Sequence, residues 1–180
     1  MKVNILTLFP EFFSSPLNVS ILNRAINEKI INVDIHDLRE WGIGKHHQVD
    51  DTSYGGGPGM VLMAEPLIRS IDDISKMQSE QAHVILMTPQ GEKLNYETAK
   101  KIAKKKNIII VCGKYEGIDE RVVGHSIDQE ISLADVVFSG GEIPALALID
   151  SVARLIPGVL GDAESLNEES FCDNLLEYPH

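Results

Sequence analysis

Apolar residues along this chain follow two periods, one typical of buried strands and one of amphipathic helices. The clearest strand is "NIIIVCG", and the clearest helix is "EIPALALIDSVARLI", where Ala145, Leu148, Ile149 and Val152 fall on one face. The pattern predicts strands over 3–9, 31–38, 82–87, 107–113 and 127–138, and helices over 17–30, 64–74, 95–106 and 142–156, with one or two helical turns near 118–126. Strands that alternate with helices predict an α/β fold with a mainly parallel sheet.

A long stretch without periodicity, "REWGIGKHHQVDDTSYGGGPGM" over 39–60, is predicted to be a loop. Loops of this length inside a compact domain are either functional or disordered. His46 and His47 precede Asp50 and Asp51, but adjacent histidines do not share a face and no spacing sets a third ligand. The sequence therefore predicts no metal site.

Three predicted strands each run into a glycine-containing loop: "VILMTPQGEK", "IIIVCGKYEG" and "VVFSGGEIPA". In open parallel sheets, ligands bind outside the carboxyl ends of the strands. One such loop indicates only a tight turn, whereas three in succession favour a shared small-molecule site. None is a phosphate-binding motif, and "TLFPEFF" follows the first strand where a dinucleotide-binding fold would have its glycine-rich turn.

Composition narrows the class of protein further. The 180 residues are 43% hydrophobic, which suffices for one core, and no apolar run approaches the roughly 20 residues of a membrane span. No signal peptide is evident, and Cys112 and Cys172 are far apart, so reduced thiols in a cytoplasm are expected. The net charge of −11 weighs against a generic nucleic-acid binder. However, residues 162–180 hold six of the 27 acids and no Lys or Arg, which leaves room for a local basic site.

Several motifs occur in order from residue 7 to the end: "TLFPEFF", "DDTSYGGGPGMV", "TPQG", "CGKYEGIDERV", "SGGEIPALALIDSVARLIPGVLG" and "EYPH". Together they closely resemble bacterial tRNA (guanine-N1)-methyltransferase. The resemblance implies transfer of a methyl group from S-adenosylmethionine to the guanosine just 3′ of the anticodon, position 37, within a tRNA anticodon stem-loop. It also implies an α/β fold with helices on both faces and a deep trefoil knot near the C-terminal part, as in the SPOUT superfamily, and an obligate homodimer with active sites at the interface.

The resemblance also implies a domain organisation. Residues 1–160 are expected to form the knotted cofactor-binding domain, and 161–180 a flexible acidic segment. The family continues into a smaller tRNA-binding domain that this chain is expected to lack. Two positions depart from the family pattern: Ala134-Asp135-Val136 replaces Gly-Asp-Tyr, and Glu169 replaces an Asp before Ser-Phe.

Site residues are carried over from the same resemblance. Arg154 and Glu169 are the expected catalytic pair, with Asp173 as the alternative base. A magnesium ion at guanine O6 is left open, since no spacing demands one. The expected substrate-binding residues are Asp50, Gly59, Lys114 and Glu116. The expected cofactor-binding residues are Pro89, Gly91, Gly113, Leu133, Ala134, Asp135, Val136, Val137, Phe138, Gly140, Gly141 and Pro144.

Three other functions stay open at this point. A ribose 2′-O-methyltransferase of the same superfamily would need no base beside a purine N1. A non-catalytic dimeric module that binds S-adenosylmethionine is favoured by the missing tRNA-binding domain. A nucleotide-binding oxidoreductase is disfavoured by the absent glycine fingerprint.

Overall fold

The computed structural model describes residues 1–160 together with residues 170, 171, 176 and 178. Five strands form one parallel sheet: β1 (Lys2–Thr7), β2 (Asn32–Asp37), β5 (His83–Lys93), β6 (Asn107–Cys112) and β7 (Gln129–Ser132). Their order is β2-β1-β6-β5-β7. Two short strands, β3 (Asp50–Thr52) and β4 (Met60–Leu62), pair antiparallel in a separate hairpin. The predicted mainly parallel sheet is confirmed.

Helices cover both faces of this sheet. The described helices are α1 (Ser20–Asn27), α2 (Ala64–Lys76), α3 (Tyr96–Ile102), α4 (Glu120–Ser126) and α5 (Glu142–Arg154). One apolar cluster joins the sheet to α1, α3 and α5, and a second joins it to α2 and α4. This arrangement is the three-layer packing expected when parallel strands are connected by helices.

The central strand β6 explains why the two clusters exist. All six of its residues are buried. Ile108 and Ile110 belong to the first cluster, whereas Ile109 and Val111 belong to the second, because successive side chains point to opposite faces. A strand with water on one face would alternate apolar and polar residues, so the unbroken apolar run already indicates burial on both sides.

Several predicted boundaries are wrong. The loop predicted over 39–60 contains the end of a 3-10 turn (Leu38–Trp41) and the β3–β4 hairpin. The last strand ends at Ser132 rather than at 138, because the residues after it leave the sheet to line a cavity. The helix α3 begins after Asn95, whose side chain caps it by accepting a hydrogen bond from the Thr98 amide at 2.9 Å.

Among the described residues, no helix is long and apolar enough to cross a membrane. The thiol of Cys112 is free and fully buried at the end of β6. Burial, reinforced by the nearby Glu142 carboxylate, raises the pKa of this thiol well above its usual range. Cys112 is therefore a small apolar core residue rather than a nucleophile.

Candidate active site at the carboxyl edge of the sheet

A cavity of about 370 Å³ lies at the carboxyl ends of β5, β6 and β7. Its walls come from the three glycine-containing loops that the sequence singled out, at 86–90, 113–120 and 131–141. The prediction that these loops share one site is confirmed in its geometry. The volume falls within the range of small-molecule pockets in proteins.

The first wall is a bulge within β5. This strand pairs with β7 up to Met87, leaves the ladder for four residues, and rejoins it at Glu92. Pro89 lines the cavity from this bulge, as predicted. Gly91 does not, because its missing Cβ would lie 2.4 Å from the Glu130 carbonyl carbon on β7. Gly91 is a site of close strand contact, and its assignment to cofactor binding stays a prediction.

The second wall is made where the chain enters α5. The Gly141 amide donates a hydrogen bond to the Gly113 carbonyl at 2.8 Å, and a Cβ at Gly141 would lie 2.7 Å from the Cys112 Cα. The backbone of β6 thus excludes a side chain at Gly141, which also lines the cavity, and its predicted cofactor contact stays a prediction. Gly140 differs, since a Cβ there would meet only the side-chain ends of Glu142 and Lys114.

The third wall is the segment after β7. Five of its six residues line the cavity, as predicted. The exception is Asp135, which pairs with Lys93 at 2.5 Å and is not among the lining residues. Its predicted cofactor contact stays a prediction. The lining residues of this segment are Leu133, Ala134, Val136, Val137 and Phe138.

The β3–β4 hairpin is tied to the loop that follows β6. The Glu116 amide donates to the Met60 carbonyl at 3.0 Å, and the Leu62 amide donates to the Gly117 carbonyl at 3.0 Å. This contact seats Gly59, whose φ is +91°, against Glu116, so that a Cβ at Gly59 would lie 2.5 Å from the Glu116 Cγ. No other residue type fits there without strain.

The same contact brings Asp50 to Tyr115. Partial burial, together with the nearby Asp50 carboxylate, raises the pKa of Tyr115. Asp50 and Gly59 do not line the cavity, whereas Lys114 and Glu116 do. The four predicted substrate-binding residues therefore lie together at one side of the cavity.

A buried polar pair that the sequence did not predict joins α5 to β1. The Thr7 hydroxyl donates to the Glu142 carboxylate at 3.0 Å, and the Phe9 amide donates to the Thr7 hydroxyl at 3.0 Å. Thr7 is 1% and Glu142 is 5% exposed. Because a buried carboxylate needs hydrogen-bond partners, this pair fixes the start of α5 relative to the end of β1.

Few charged residues line the cavity. Of the described residues that line it, Lys114 is the sole cation, and Glu116 and Glu120 are the acids. Arg154 is the last residue of α5, whose first turn lines the cavity. The last residue of α5 that lines the cavity is Pro144, and at 1.5 Å per residue the helix carries Arg154 about 15 Å beyond it, so Arg154 does not line the cavity of its own chain.

The remaining catalytic assignments, Glu169 and its alternative Asp173, lie outside the described residues. No three His, Cys, Asp or Glu side chains of the described part of the chain are grouped so that they could hold a metal ion. His46 and His47 stand on an exposed turn instead, where the His47 ring bonds to the Arg39 carbonyl at 3.0 Å.

Sequence reasoning also missed several cavity residues. All but Ser132 lie inside the quoted loop motifs, and membership of those motifs was the available signal. The missed residues include Thr88, Gln90, Tyr115, Gly117, Ile118, Glu120, Ser132 and Ser139.

Comparisons with known proteins agree with this geometry. The family described as tRNA (Guanine-1)-methyltransferase TrmD matches residues 1–180. A tRNA (guanine-N(1)-)-methyltransferase of Carboxydothermus hydrogenoformans is 51% identical over 180 residues, which cover 100% of this chain and 70% of that protein. One of Dehalococcoides mccartyi is 48% identical, over 100% of this chain and 73% of that protein.

A solved structure is similar as well. The crystal structure of tRNA (m1G37) methyltransferase from Aquifex aeolicus superposes with a TM-score of 0.83 at 40% sequence identity, and the match covers 99% of this chain and 80% of that one. A match over the whole chain, at this level of identity and with the same fold, leaves one conclusion: the chain belongs to the tRNA (guanine-1)-methyltransferase family.

Proposed function

We propose that this chain transfers the methyl group of S-adenosylmethionine to N1 of the guanosine 3′ of the anticodon, position 37, in tRNA. The observation that carries the proposal is the cavity at the carboxyl ends of β5, β6 and β7, in a chain whose relatives are named tRNA (guanine-N(1)-)-methyltransferase.

The cavity has features that suit S-adenosylmethionine. Apolar side chains such as Leu133 and Phe138 offer flat contacts for an adenine ring, and the glycine-containing loops offer backbone donors and acceptors. Glu116 and Glu120 place negative charge where a sulfonium or an ammonium group would be favoured. When bound, this co-substrate supplies an activated methyl group. Residues 1–160 form the cofactor-binding domain in this proposal.

The guanine side of the site consists of Asp50, Gly59, Lys114 and Glu116. The backbone bonds between the β3–β4 hairpin and the 114–119 loop hold these residues at one side of the cavity. In this proposal Glu116 positions the guanine edge, and the Asp50 carboxylate is kept in place by Tyr115.

The chemistry requires a base and a cation. Guanine N1 carries a proton at neutral pH, so a carboxylate must remove it before the nitrogen becomes a nucleophile. Negative charge then develops on O6, where a fixed guanidinium stabilises it. Glu169 is the proposed base, with Asp173 as the alternative, and Arg154 is the proposed cation.

The position of Arg154 makes a second copy of the chain part of this proposal. About 15 Å of helix separates it from Pro144 in the cavity wall of its own chain. A role on the guanine therefore requires Arg154 to reach the cavity of a partner copy, which is what a homodimer with active sites at its interface provides.

A knotted path is also part of the proposal. After the edge strand β7 the chain runs back past the end of β5 and bonds to Gly113 at the end of β6, before it continues as α5. Threading of this segment through the loops at 86–90 and 113–120 would account for backbone contact as close as that of Gly141 with Cys112.

The proposal is tested by the product. The chain is incubated with methyl-labelled S-adenosylmethionine and anticodon stem-loops that carry guanosine or adenosine at the target position, and the RNA is digested to nucleosides. The expected product is 1-methylguanosine, from the guanosine stem-loop alone. A 2′-O-methylated nucleoside, or cofactor binding without transfer to either RNA or to full-length tRNA, would contradict the proposal.

The base is identified by a second comparison. Glu169→Gln keeps the size of the side chain but cannot accept the proton, so it is expected to lower the transfer rate by roughly 10²-fold or more. Glu169→Asp, which restores the family residue, is expected to keep much of the rate. If Asp173→Asn were inactive and Glu169→Gln fully active, the base would be Asp173.

A further inference from the structure

The motif "TLFPEFF" has a clear structural position that the chemistry above does not use. It follows β1, the neighbour of β6 in the sheet, so Phe9 emerges at the same carboxyl edge as the cavity loops. The Thr7–Glu142 pair fixes its backbone, because the Phe9 amide donates to the Thr7 hydroxyl. Phe9 is therefore held in place beside the cavity.

Two cations rest on the Phe9 ring. The Lys114 ammonium lies 4.9 Å from the ring centroid, and the Arg39 guanidinium carbon lies 5.7 Å from it. Both distances are within the range of cation–π attraction. The ring thus holds two like charges close to each other at the edge of an acidic protein, which costs electrostatic energy unless an anion offsets it.

The acidic side chains that the structure describes form few contacts with these two cations. Lys114 forms no ion pair with any of them. Arg39 lies 3.6 Å from Asp37, longer than a hydrogen bond, and its guanidinium donates to the Leu8 carbonyl. A guanidinium has five N–H donors, so several stay free on a side chain that is 45% exposed.

Some exposed cations are paired more tightly: the ammonium of Lys106 lies 2.7 Å from Glu80, and the guanidinium of Arg121 lies 2.6 Å from Asp119. Others, such as Arg69 at 3.6 Å from Glu65, pair as loosely as Arg39 does. Arg39 and Lys114 are therefore distinguished by their shared contact with Phe9 beside the cavity.

A turn beside Arg39 extends the same surface. Ile43 and Gln48 exchange backbone hydrogen bonds of 2.8 and 3.0 Å, and the His47 ring bonds to the Arg39 carbonyl at 3.0 Å. Lys45 stands exposed at the tip of this turn. Lys45 thus adds a third positive residue on a turn that is bonded to the Arg39 backbone, and these three residues are called the cation row below.

We propose that Arg39 and Lys114, held together by the Phe9 ring, bind backbone phosphates of the RNA that flank the nucleotide in the cavity. This inference rests on the proposed function, because it takes RNA as the substrate. Phosphate contacts fix the register of a nucleic acid without reading its sequence, and a cation row beside a nucleotide pocket suits that role. The acidity of the rest of the chain confines RNA to this edge.

The test compares two variants that each remove one positive charge. Arg39→Gln removes a charge of the cation row. Lys104→Gln removes an exposed charge next to the start of β6, at the opposite edge of the sheet. A fluorescent anticodon stem-loop RNA with guanosine at the target position is titrated against each protein over a series of KCl concentrations. Phe9→Leu is the third variant, since it keeps an apolar side chain but removes the π face.

Arg39→Gln is expected to weaken RNA binding several-fold in low salt and to reduce the slope of log K against log [KCl] by about 0.7 to 0.9, the loss of one phosphate contact. Phe9→Leu should shift both quantities in the same direction, and Lys104→Gln should leave both at the wild-type value. S-adenosylhomocysteine should bind all three variants with wild-type affinity, which checks that they are folded.

The inference is overturned if Arg39→Gln binds the RNA with the wild-type affinity and slope while the wild-type chain methylates it. That outcome leaves the proposed function intact. If the wild-type chain transfers no methyl group to either the stem-loop or full-length tRNA, the proposed function fails, and this inference fails with it.

Discussion

Gly140 and Gly141 lack a side chain for different physical reasons, although they are adjacent. A Cβ at Gly141 would overlap the backbone of Cys112 and Gly113, which cannot move without breaking β6 from its neighbours. A Cβ at Gly140 would overlap side-chain atoms of Glu142 and Lys114 rather than backbone. The first glycine is therefore a requirement of the fold, and the second is a requirement of the cavity.

Gly141→Ala is expected to destabilise the protein by about 1 to 3 kcal/mol, the usual cost of forcing extra volume into a packed site. Gly140→Ala should cost less stability, because it displaces side-chain atoms of Glu142 and Lys114 rather than the backbone of a central strand. Urea unfolding measures both free energies.

Gly124 supplies the matched control. It lies within α4, and a Cβ there would meet no atom within 4 Å. Gly124→Ala should therefore stabilise the protein by about 0.5 to 1 kcal/mol, the helix preference of alanine over glycine. Equal effects of alanine at 141 and at 124 would refute the backbone contact described here.

At the scale of elements, the edge strand β2 is joined to β1 by a side-chain bond as well as by the ladder. The His36 ring lies 3.0 Å from the Asn4 side-chain oxygen, and Asn4 is 1% exposed. Burial lowers the pKa of His36, although the nearby carboxylates of Asp34 and Glu40 oppose that shift. The neutral ring is thus the form that the folded protein prefers.

This shift predicts how stability depends on pH. Because the folded pKa lies below the unfolded value of about 6.5, the unfolded chain binds the proton more readily, so stability is lost as the pH falls below that value. His36→Gln cannot titrate, so its loss of stability from pH 7.5 to pH 5 should be smaller than that of the wild type. Urea midpoints at the two pH values check this, and an identical loss in both proteins would exclude His36 as the cause.

Helices and strands could be predicted from the sequence where the spacing of apolar residues matched only one kind of element. The apolar run at 107–112 and the helical face of Leu148, Ile149 and Val152 each allowed one interpretation. The β3–β4 hairpin was not predictable, because its strands have three residues each and depend on bonds to the 114–119 loop. Whether such short strands form depends on contacts with segments that are distant in the sequence. Local periodicity carries no information about those contacts.

The same limit applied to the candidate site. The three loops could be placed together because parallel strands end at one edge. The closeness of Gly91 to β7 and of Gly141 to β6 could not be predicted, since each depends on where two backbones cross. The buried partner of Glu142 is Thr7, which lies far earlier in the chain, and no spacing in the sequence relates these two residues.

At the scale of the whole molecule, the distance between Arg154 and the cavity makes a prediction about mixed dimers. Arg154→Ala and Glu116→Gln are each expected to be nearly inactive when they are alone. After subunit exchange, a mixed dimer joins an intact cavity from one chain to an intact Arg154 from the other.

About a quarter of the wild-type rate is expected from the mixture, because random exchange makes half of the dimers mixed and each contains one intact site. Methyl transfer to tRNA measures this rate. A double variant that carries both changes, mixed with either single variant, is the control and should stay inactive. A mixture of the two single variants that remains inactive after exchange would show that Arg154 does not act across the interface.

The order of the strands in the sheet also has a consequence for synthesis of the protein. The walls of the cavity begin at Leu86 and are completed only by Pro144, and the central strand β6 must meet β1, which leaves the ribosome first. Contacts between such distant segments form late and slowly. In a nascent chain this cavity is therefore incomplete until α5 has left the ribosome and packed against the sheet. A ligand of the cavity can stabilise the finished fold, but it cannot stabilise the folding intermediates that precede it.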